Sequence, residues 1–355
     1  MNFENDKLEN RLLLEVWQLQ TPSKVCHLLR EIGRGRIDER AQHAFLRCIR
    51  HPVSQRFSPG NSYLNRLLKA LVLSAEGEQE AVIDDLAELH QSILLQPTQA
   101  TTLWCYKTYS YSTAISDTCR SSLGNPVGLA DTNGLISLHV SQDLLEGSTG
   151  CHEWEAGFVL SEYILSHASL FRGKKCAELG CGPGLVGVCL QRLGVGSILL
   201  TDGDAETLLN CRHNLSINTI LTGDTASPST ITDVEMAQFM WDDEVSLDAD
   251  ILLGADLLYD PGSHAALVKV IRSSLTSAGA TGPRQMILAT TMRDEISLAS
   301  FMEWLSASGL CAELLGTGDL ESLSVRFQHH IQLDRIRGSI LLHRITIDHD
   351  GTHAV

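Results

Sequence analysis

Lys175-Cys176-Ala177-Glu178-Leu179-Gly180-Cys181-Gly182-Pro183-Gly184-Leu185-Val186-Gly187 is the stretch that decides the fold. A short apolar run ends in an acid, and a glycine-rich turn follows. Leu185, Val188, Cys189 and Leu193 then fall at helical spacing. Strand, tight turn and helix in that order open a nucleotide-binding α/β domain.

Downstream of this unit the alternation is regular. Ile198, Leu199 and Leu200 form a buried strand within Ser197–Thr201 that ends in Asp202. Asp204 and Glu206 suit the start of the next helix, which Leu208, Cys211, Leu215 and Asn218 continue. The Thr/Ser/Asp-rich stretch 221–233 predicts a loop. Phe239-Met240-Trp241-Asp242 is expected to end a third strand. Asp250 to Asp256 is an almost wholly apolar fourth, as a central parallel strand should be. Leu267, Val270, Ile271 and Leu275 mark the next helix, and Gln285–Thr290 a fifth strand. Phe301, Leu305 and Leu310 belong to a helix and its exit, and Ser339–Ile347 is a last strand.

Upstream the character differs. Leu8, Leu12, Val16 and Leu19 share a helical face, as do Ala41, Phe45, Cys48 and Ile49, where His51-Pro52 closes the segment. Tyr63, Leu67, Leu68 and Leu71, then Val82, Leu86 and Leu89, extend the pattern, and Arg34, Gly35 and Arg36 fall in a loop. Three regions are expected: a helical domain over 1–96, a β-rich connector over 97–149 packing on the core, and an α/β domain over 150–348. The helical part carries no catalytic motif, so it either docks a partner or covers one face of the sheet. In the connector, Leu135 to Val140 alternates as a strand does. Gly150 to Gly157 then leads into a helix carrying Phe158, Leu160, Ile164 and Leu165.

The 355 residues are 43% hydrophobic and 20% charged, which fits a globular chain with ample core. No run approaches the roughly 18 apolar residues of a membrane helix, so no membrane partner is expected. The acidic, polar start lacks the pattern of a signal peptide. Ten cysteines without a CxxC pair read as buried free thiols in a reducing compartment, and a cytoplasmic location follows. His329, His330, His349 and His353 lack a paired ligand spacing, so no metal is expected and these rings are expected to face solvent. Net charge is −16. Residues 1–100 hold 12 of the 27 basic and 13 of the 43 acidic side chains, leaving 15 against 30 beyond them. So acidic a second part repels a nucleic-acid backbone and suits a basic protein surface or a cationic side chain.

The turn has a GxGxG rhythm, and Gly187 adds a GxxG spacing from Gly184, so a dehydrogenase stays in view. Glu178 argues against one, because an acid two residues before the first glycine would repel a pyrophosphate. Pro183 also removes a backbone donor. The acid would suit an ammonium or a sulfonium. Asp202 lies near the spacing at which an acid meets ribose hydroxyls; its other role is helix capping, which Asp204 could serve. Trp241 either stacks on an adenine or belongs to the core. Asp256 and Tyr259 stand at a strand's carboxyl end, where ligands of open α/β sheets bind.

Gly150 to Ala156, Glu178-Leu179-Gly180-Cys181-Gly182, Thr201-Asp202, Trp241 and Ala255-Asp256-Leu257-Leu258-Tyr259-Asp260-Pro261 together resemble the seven-β-strand, class I protein-lysine methyltransferases with a DxxY motif. The resemblance implies a Rossmann-like domain, S-adenosyl-L-methionine as cofactor and a protein-lysine N-methyltransferase activity. It implies cofactor contacts at Trp154, Glu178, Gly180, Cys181, Gly182, Asp202, Trp241, Ala255 and Asp256, and an acceptor channel shaped by Asp256 and Tyr259. The helical N-terminal extension and the phrase around Trp154 resemble the branch that modifies translation elongation factor 2. That branch implies the elongation factor as protein substrate; no nucleic-acid partner and a monomeric enzyme are expected. A methyltransferase acting on small molecules and a non-catalytic binding protein on the same scaffold stay open.

Overall fold

The computed structural model describes residues 3–95, 104–113, 134–141, 149–221, 232–277 and 284–348. They fall into two compact units.

One unit gathers six helices and a hairpin: α1 (Phe3–Trp17), α2 (Pro22–Ile32), α3 (Glu39–Arg50), α4 (Pro52–Arg56), α5 (Asn61–Gly77), α6 (Asp84–Leu95), β1 (Trp104–Thr113) and β2 (Leu135–Ser141). Leu12 and Val16 are fully buried as the periodicity requires, whereas Leu19 lies past the end of α1 with φ 56°. Asp38 caps α3 by accepting from the Ala41 N–H at 2.9 Å. His51 takes the extended backbone that Pro52 imposes, which separates α3 from α4. β1 and β2 pair antiparallel. His330, expected at the surface, is buried and stacks on Tyr109 with ring centroids 5.5 Å apart. His329 is exposed, and His349 and His353 lie outside the described residues.

The other unit carries α7 (Glu155–Ser166), α8 (Ala168–Phe171), β3 (Lys175–Leu179), α9 (Leu185–Leu193), β4 (Ser197–Asp202), α10 (Ala205–Leu221), β5 (Asp233–Gln238), β6 (Ile251–Ala255), α11 (His264–Thr276), β7 (Gln285–Thr291), α12 (Glu295–Ala307), β8 (Leu310–Thr317), β9 (Val325–Phe327), α13 (Ile331–Ile336) and β10 (Ile340–Ile347). Seven strands form one sheet in the order β5-β4-β3-β6-β7-β10-β8. The first five are parallel, and β10 runs antiparallel to both of its neighbours. This is the Rossmann-like α/β architecture that the sequence leads one to expect. Covered on both faces, the central strands are mostly apolar; Leu252 and Leu253 are buried, each worth roughly 1.5–3 kcal/mol.

Two boundaries depart from expectation. β5 stops at Gln238, so Phe239 to Asp242 is not strand. A turn replaces it, closed by the Met240 N–H donating to Asp243 Oδ2 at 2.8 Å. Leu310, expected at the exit of a helix, follows α12 and also opens β8, an edge strand that was not expected. The stretch 222–231 lies outside the described residues.

β3 pairs with β4 on one side and β6 on the other. The chain therefore reverses its direction of travel across the sheet at β3, and the carboxyl ends of β3, β4 and β6 meet at that crevice. Glu162 of α7 is fully buried; it accepts from Arg337 Nη1 at 2.5 Å, Arg337 Nη2 at 2.7 Å and the Phe327 N–H at 2.7 Å.

Candidate functional site

The turn after β3 is built from backbone. The Cys181 N–H donates to the Thr201 carbonyl at 2.9 Å, and the Gly184 N–H to the Cys181 carbonyl at 3.0 Å. The Gly182 N–H donates to Asp202 Oδ2 at 3.1 Å. Gly182 and Gly184 have φ of 52° and 87°, a region that side chains disfavour. A Cβ on Gly184 would stand 2.6 Å from Cys211 Sγ, and one on Gly182 would stand 3.3 Å from the Gly150 carbonyl oxygen. Helix α10 and the segment before α7 thus close on the turn and leave little room for side chains.

Asp202 is freed from capping. Asp204 Oδ2 accepts from the Thr207 N–H at 3.0 Å and from its hydroxyl at 2.7 Å, so Asp204 caps α10. Asp202 Oδ1 accepts from the Asp204 N–H at 3.1 Å. Burial lifts the Asp202 carboxyl above its ordinary range, against the opposing pull of the Asp204 and Gly182 N–H groups. Glu178 is 2% exposed, and its Oε2 has no hydrogen-bond partner. Burial foremost, then Cys211 and Asp202, holds its carboxyl well above the usual range. An orphaned buried acid beside a glycine cradle fits a cationic ligand whose neutral remainder bears hydroxyls. S-adenosylmethionine meets that description.

The neighbouring strand ends supply a second wall. Asp256 follows β6 with φ 52°, a left-handed conformation that aspartate tolerates better than most residues. Its Oδ1 accepts from the Thr291 N–H at 2.8 Å, and its Oδ2 from the Thr291 hydroxyl at 3.0 Å. Arg293 Nη2 approaches the same Oδ2 at 3.4 Å. Three of the roughly four acceptor positions of the carboxylate are therefore taken by this chain. Arg293 also places its guanidinium 5.0 Å from the ring centroid of Trp154, the residue just before α7. Glu155 lies beside this cluster. Burial raises its carboxyl first, Asp256 raises it further, and its own backbone N–H, His152 and Arg293 oppose the rise.

Asp256, Tyr259, Thr291, Arg293, Ser297 and Leu298 line a cavity of about 200 Å³ at the ends of β6 and β7. Tyr259 is 71% exposed and stands at its mouth. Ala255 closes β6 opposite Ala289. Trp241, expected at a strand end, sits in the turn after β5. It packs, half-buried, on the core cluster that includes Leu247 and Leu258.

The structure therefore brings Glu178, Gly180 to Gly182 and Asp202 together at one strand end, and Trp154 to Asp256 through Arg293. Thr291 and Arg293 escaped the sequence reading. Their signal was positional: Thr290 to Asp294 leave the carboxyl end of a parallel strand. Among the described residues no cluster of His, Cys, Asp or Glu could hold a metal ion. All nine described cysteines are free, and eight are buried. No described helix is long and apolar enough to cross a membrane.

Comparison with known proteins agrees with this geometry. The sequence profile of the family described as "Lysine methyltransferase" matches residues 133–308. The mouse protein named protein-lysine N-methyltransferase EEF2KMT is 26% identical over 275 residues, 74% of each chain. Protein-lysine N-methyltransferase EFM3 of Chaetomium thermophilum is 25% identical over 280 residues, 75% of this chain and 78% of its own. Among solved structures, a TehB-like SAM-dependent methyltransferase from Corynebacterium glutamicum aligns with 53% of this chain and 87% of its own, at 18% identity and a TM-score of 0.37. With a parallel sheet switching direction at β3, a glycine cradle there and this match over residues 133–308, the chain is similar to the lysine methyltransferases and has the features of an S-adenosylmethionine-dependent enzyme that acts on protein lysine.

Proposed function

We propose that this chain methylates a lysine of translation elongation factor 2, acting as a monomer in the cytoplasm. One observation carries the chemical part of the reading: the Gly182–Asp202 cradle and the Asp256–Tyr259 cavity stand at the carboxyl ends of the same sheet. The resemblance around Trp154 and the relatives named for lysine methylation support the choice of substrate.

When bound, S-adenosylmethionine supplies an electrophilic methyl group on a sulfonium. Glu178 offers its buried carboxyl to the cationic part, and Asp202 offers lone pairs to the ribose hydroxyls. Gly180, Cys181 and Gly182 let the backbone approach. Trp154, Trp241 and Ala255 bound the remaining surface. Asp256 contributes its last acceptor position, to the cofactor or to the incoming amine, and Tyr259 forms the rim of the channel. A free lysine has a pKa of about 10.4, so the amine must lose a proton before it attacks. Desolvation in the cavity favours the neutral amine, and alignment of that amine does more than a strong base would. The helical region 1–96 serves to dock the substrate, and 97–149 links it to the catalytic region 150–348.

Incubation of the full chain with methyl-labelled donor and a cytosolic extract tests the reading. A labelled band at the mass of elongation factor 2 supports it. Label confined to metabolites or nucleic acid refutes it.

A further inference from the structure

Arg293 lies in the turn between β7 and α12, where neither catalysis nor cofactor binding was expected. Three observations converge on it. Its guanidinium lies against the Trp154 ring at 5.0 Å, and its Nη2 is 3.4 Å from Asp256 Oδ2. It also lines the cavity that holds Asp256 and Tyr259. A structural role alone explains this poorly. The side chain is 52% exposed, and its ion pair is long, so stabilisation of the fold is slight. A lysine could not duplicate the arrangement, because only a planar fork can stack on an indole while one N–H points along the ring plane to a carboxylate.

We propose that Arg293 is a positioning residue that ties the cofactor wall of the site, through Trp154, to the acceptor wall, through Asp256. The inference rests on the methyltransferase reading given above. Asp256 cannot orient itself. Its backbone is in the left-handed region, and Thr291 fixes Oδ1 and one side of Oδ2. Arg293 engages Oδ2 while its guanidinium lies against Trp154, so one side chain touches both walls. The energies of such contacts are individually small, and their effect is one of alignment.

Arg293→Met and Arg293→Lys in the full chain, with Asp256→Asn and the Arg293→Met/Asp256→Asn pair, test this. Half-exposure predicts melting temperatures close to the parent for both Arg293 variants. Calorimetric affinity for S-adenosylhomocysteine, measured without acceptor, is expected to weaken about fivefold in Arg293→Met. At saturating substrates kcat should fall roughly tenfold while KM for the acceptor stays constant. Arg293→Lys should recover kcat only in part. In the double variant the kcat loss should not exceed that of Asp256→Asn alone. Unchanged cofactor affinity, or losses that multiply independently in the double variant, overturns the proposal. If the parent methylates no protein lysine, the methyltransferase reading falls instead. The affinity of Arg293→Met and of the double variant then still decides whether Arg293 and Asp256 are coupled.

Discussion

The Gly182 N–H donates to Asp202 Oδ2 across 3.1 Å, so the end of β4 props open the turn that follows β3. Asp202 thus acts twice, on the shape of the cradle and on whatever the cradle holds. Asp202→Ala leaves the Gly182 and Asp204 N–H groups without their acceptor. It should weaken S-adenosylhomocysteine binding by at least about tenfold and lower stability by about 1–2 kcal/mol. Titration calorimetry checks the first effect and urea unfolding the second. An affinity equal to the parent's would remove Asp202 from the site.

Glu178 makes stability depend on pH in a defined direction. Burial holds its folded-state value above the unfolded value of about 4.3, so the native chain keeps a proton that the unfolded chain releases. Its contribution is full below that unfolded value and is lost as pH rises towards the raised folded value. Glu178→Gln removes the loss. Its Tm should therefore exceed the parent's by about 2–4 °C at pH 8, and the gap should vanish near pH 4. The same variant should bind S-adenosylmethionine more weakly, because glutamine cannot release a proton to become the countercharge of a bound cation. Tighter binding in Glu178→Gln would show that the acid does not face the cation.

Asp256→Asn separates chemistry from fold. Asparagine tolerates the left-handed backbone and still accepts from the Thr291 N–H, so the melting curve should stay close to the parent's. It loses the charge that holds Arg293. Methyl transfer should fall about 100-fold through misalignment alone. Single-turnover rates with labelled donor measure it, and undiminished turnover would exclude Asp256 from the reaction.

The Glu162–Arg337 pair predicts a purely structural loss. Arg337 is 8% exposed in its side chain and Glu162 fully buried. Arg337→Leu removes the main partner of the buried Glu162 carboxyl, leaving it the Phe327 N–H and Arg326 Nη1 at 3.8 Å, and should cost about 3 kcal/mol, read by denaturant midpoint. Glu162→Gln combined with Arg337→Leu should recover part of that loss. A smaller midpoint in the double variant than in Arg337→Leu would contradict the pairing.

Much of the sheet was legible because its central strands are covered on both faces. β3, β4 and β6 are built around short apolar runs and end in Leu179, Asp202 and Ala255, as strands buried between helices do. β8 was not legible. Glu313 and Leu314 lie exposed at its middle, so neither an apolar run nor a clean alternation marks it. Phe239 to Trp241 misled for the opposite reason. Its apolar residues pack on the core from a turn, and Asp243 rather than a strand partner satisfies the Met240 N–H. In the site, the cradle was visible because its parts lie close in sequence. The hold on Asp256 was not, since Thr291 and Arg293 come 35 and 37 residues later and meet it only across adjacent strand ends.

β10 lies between β7 and β8, although both precede it in the chain. β8 therefore has no neighbour in the sheet until β10 arrives. The parallel strands can assemble stepwise as successive strand–helix units, but the last two must dock together, a late event that spans distant parts of the chain. Before that event the flank of β7 is a bare edge, open to pairing with another molecule. The final strand thus acts as the stopper that ends assembly and protects the nascent enzyme from aggregation.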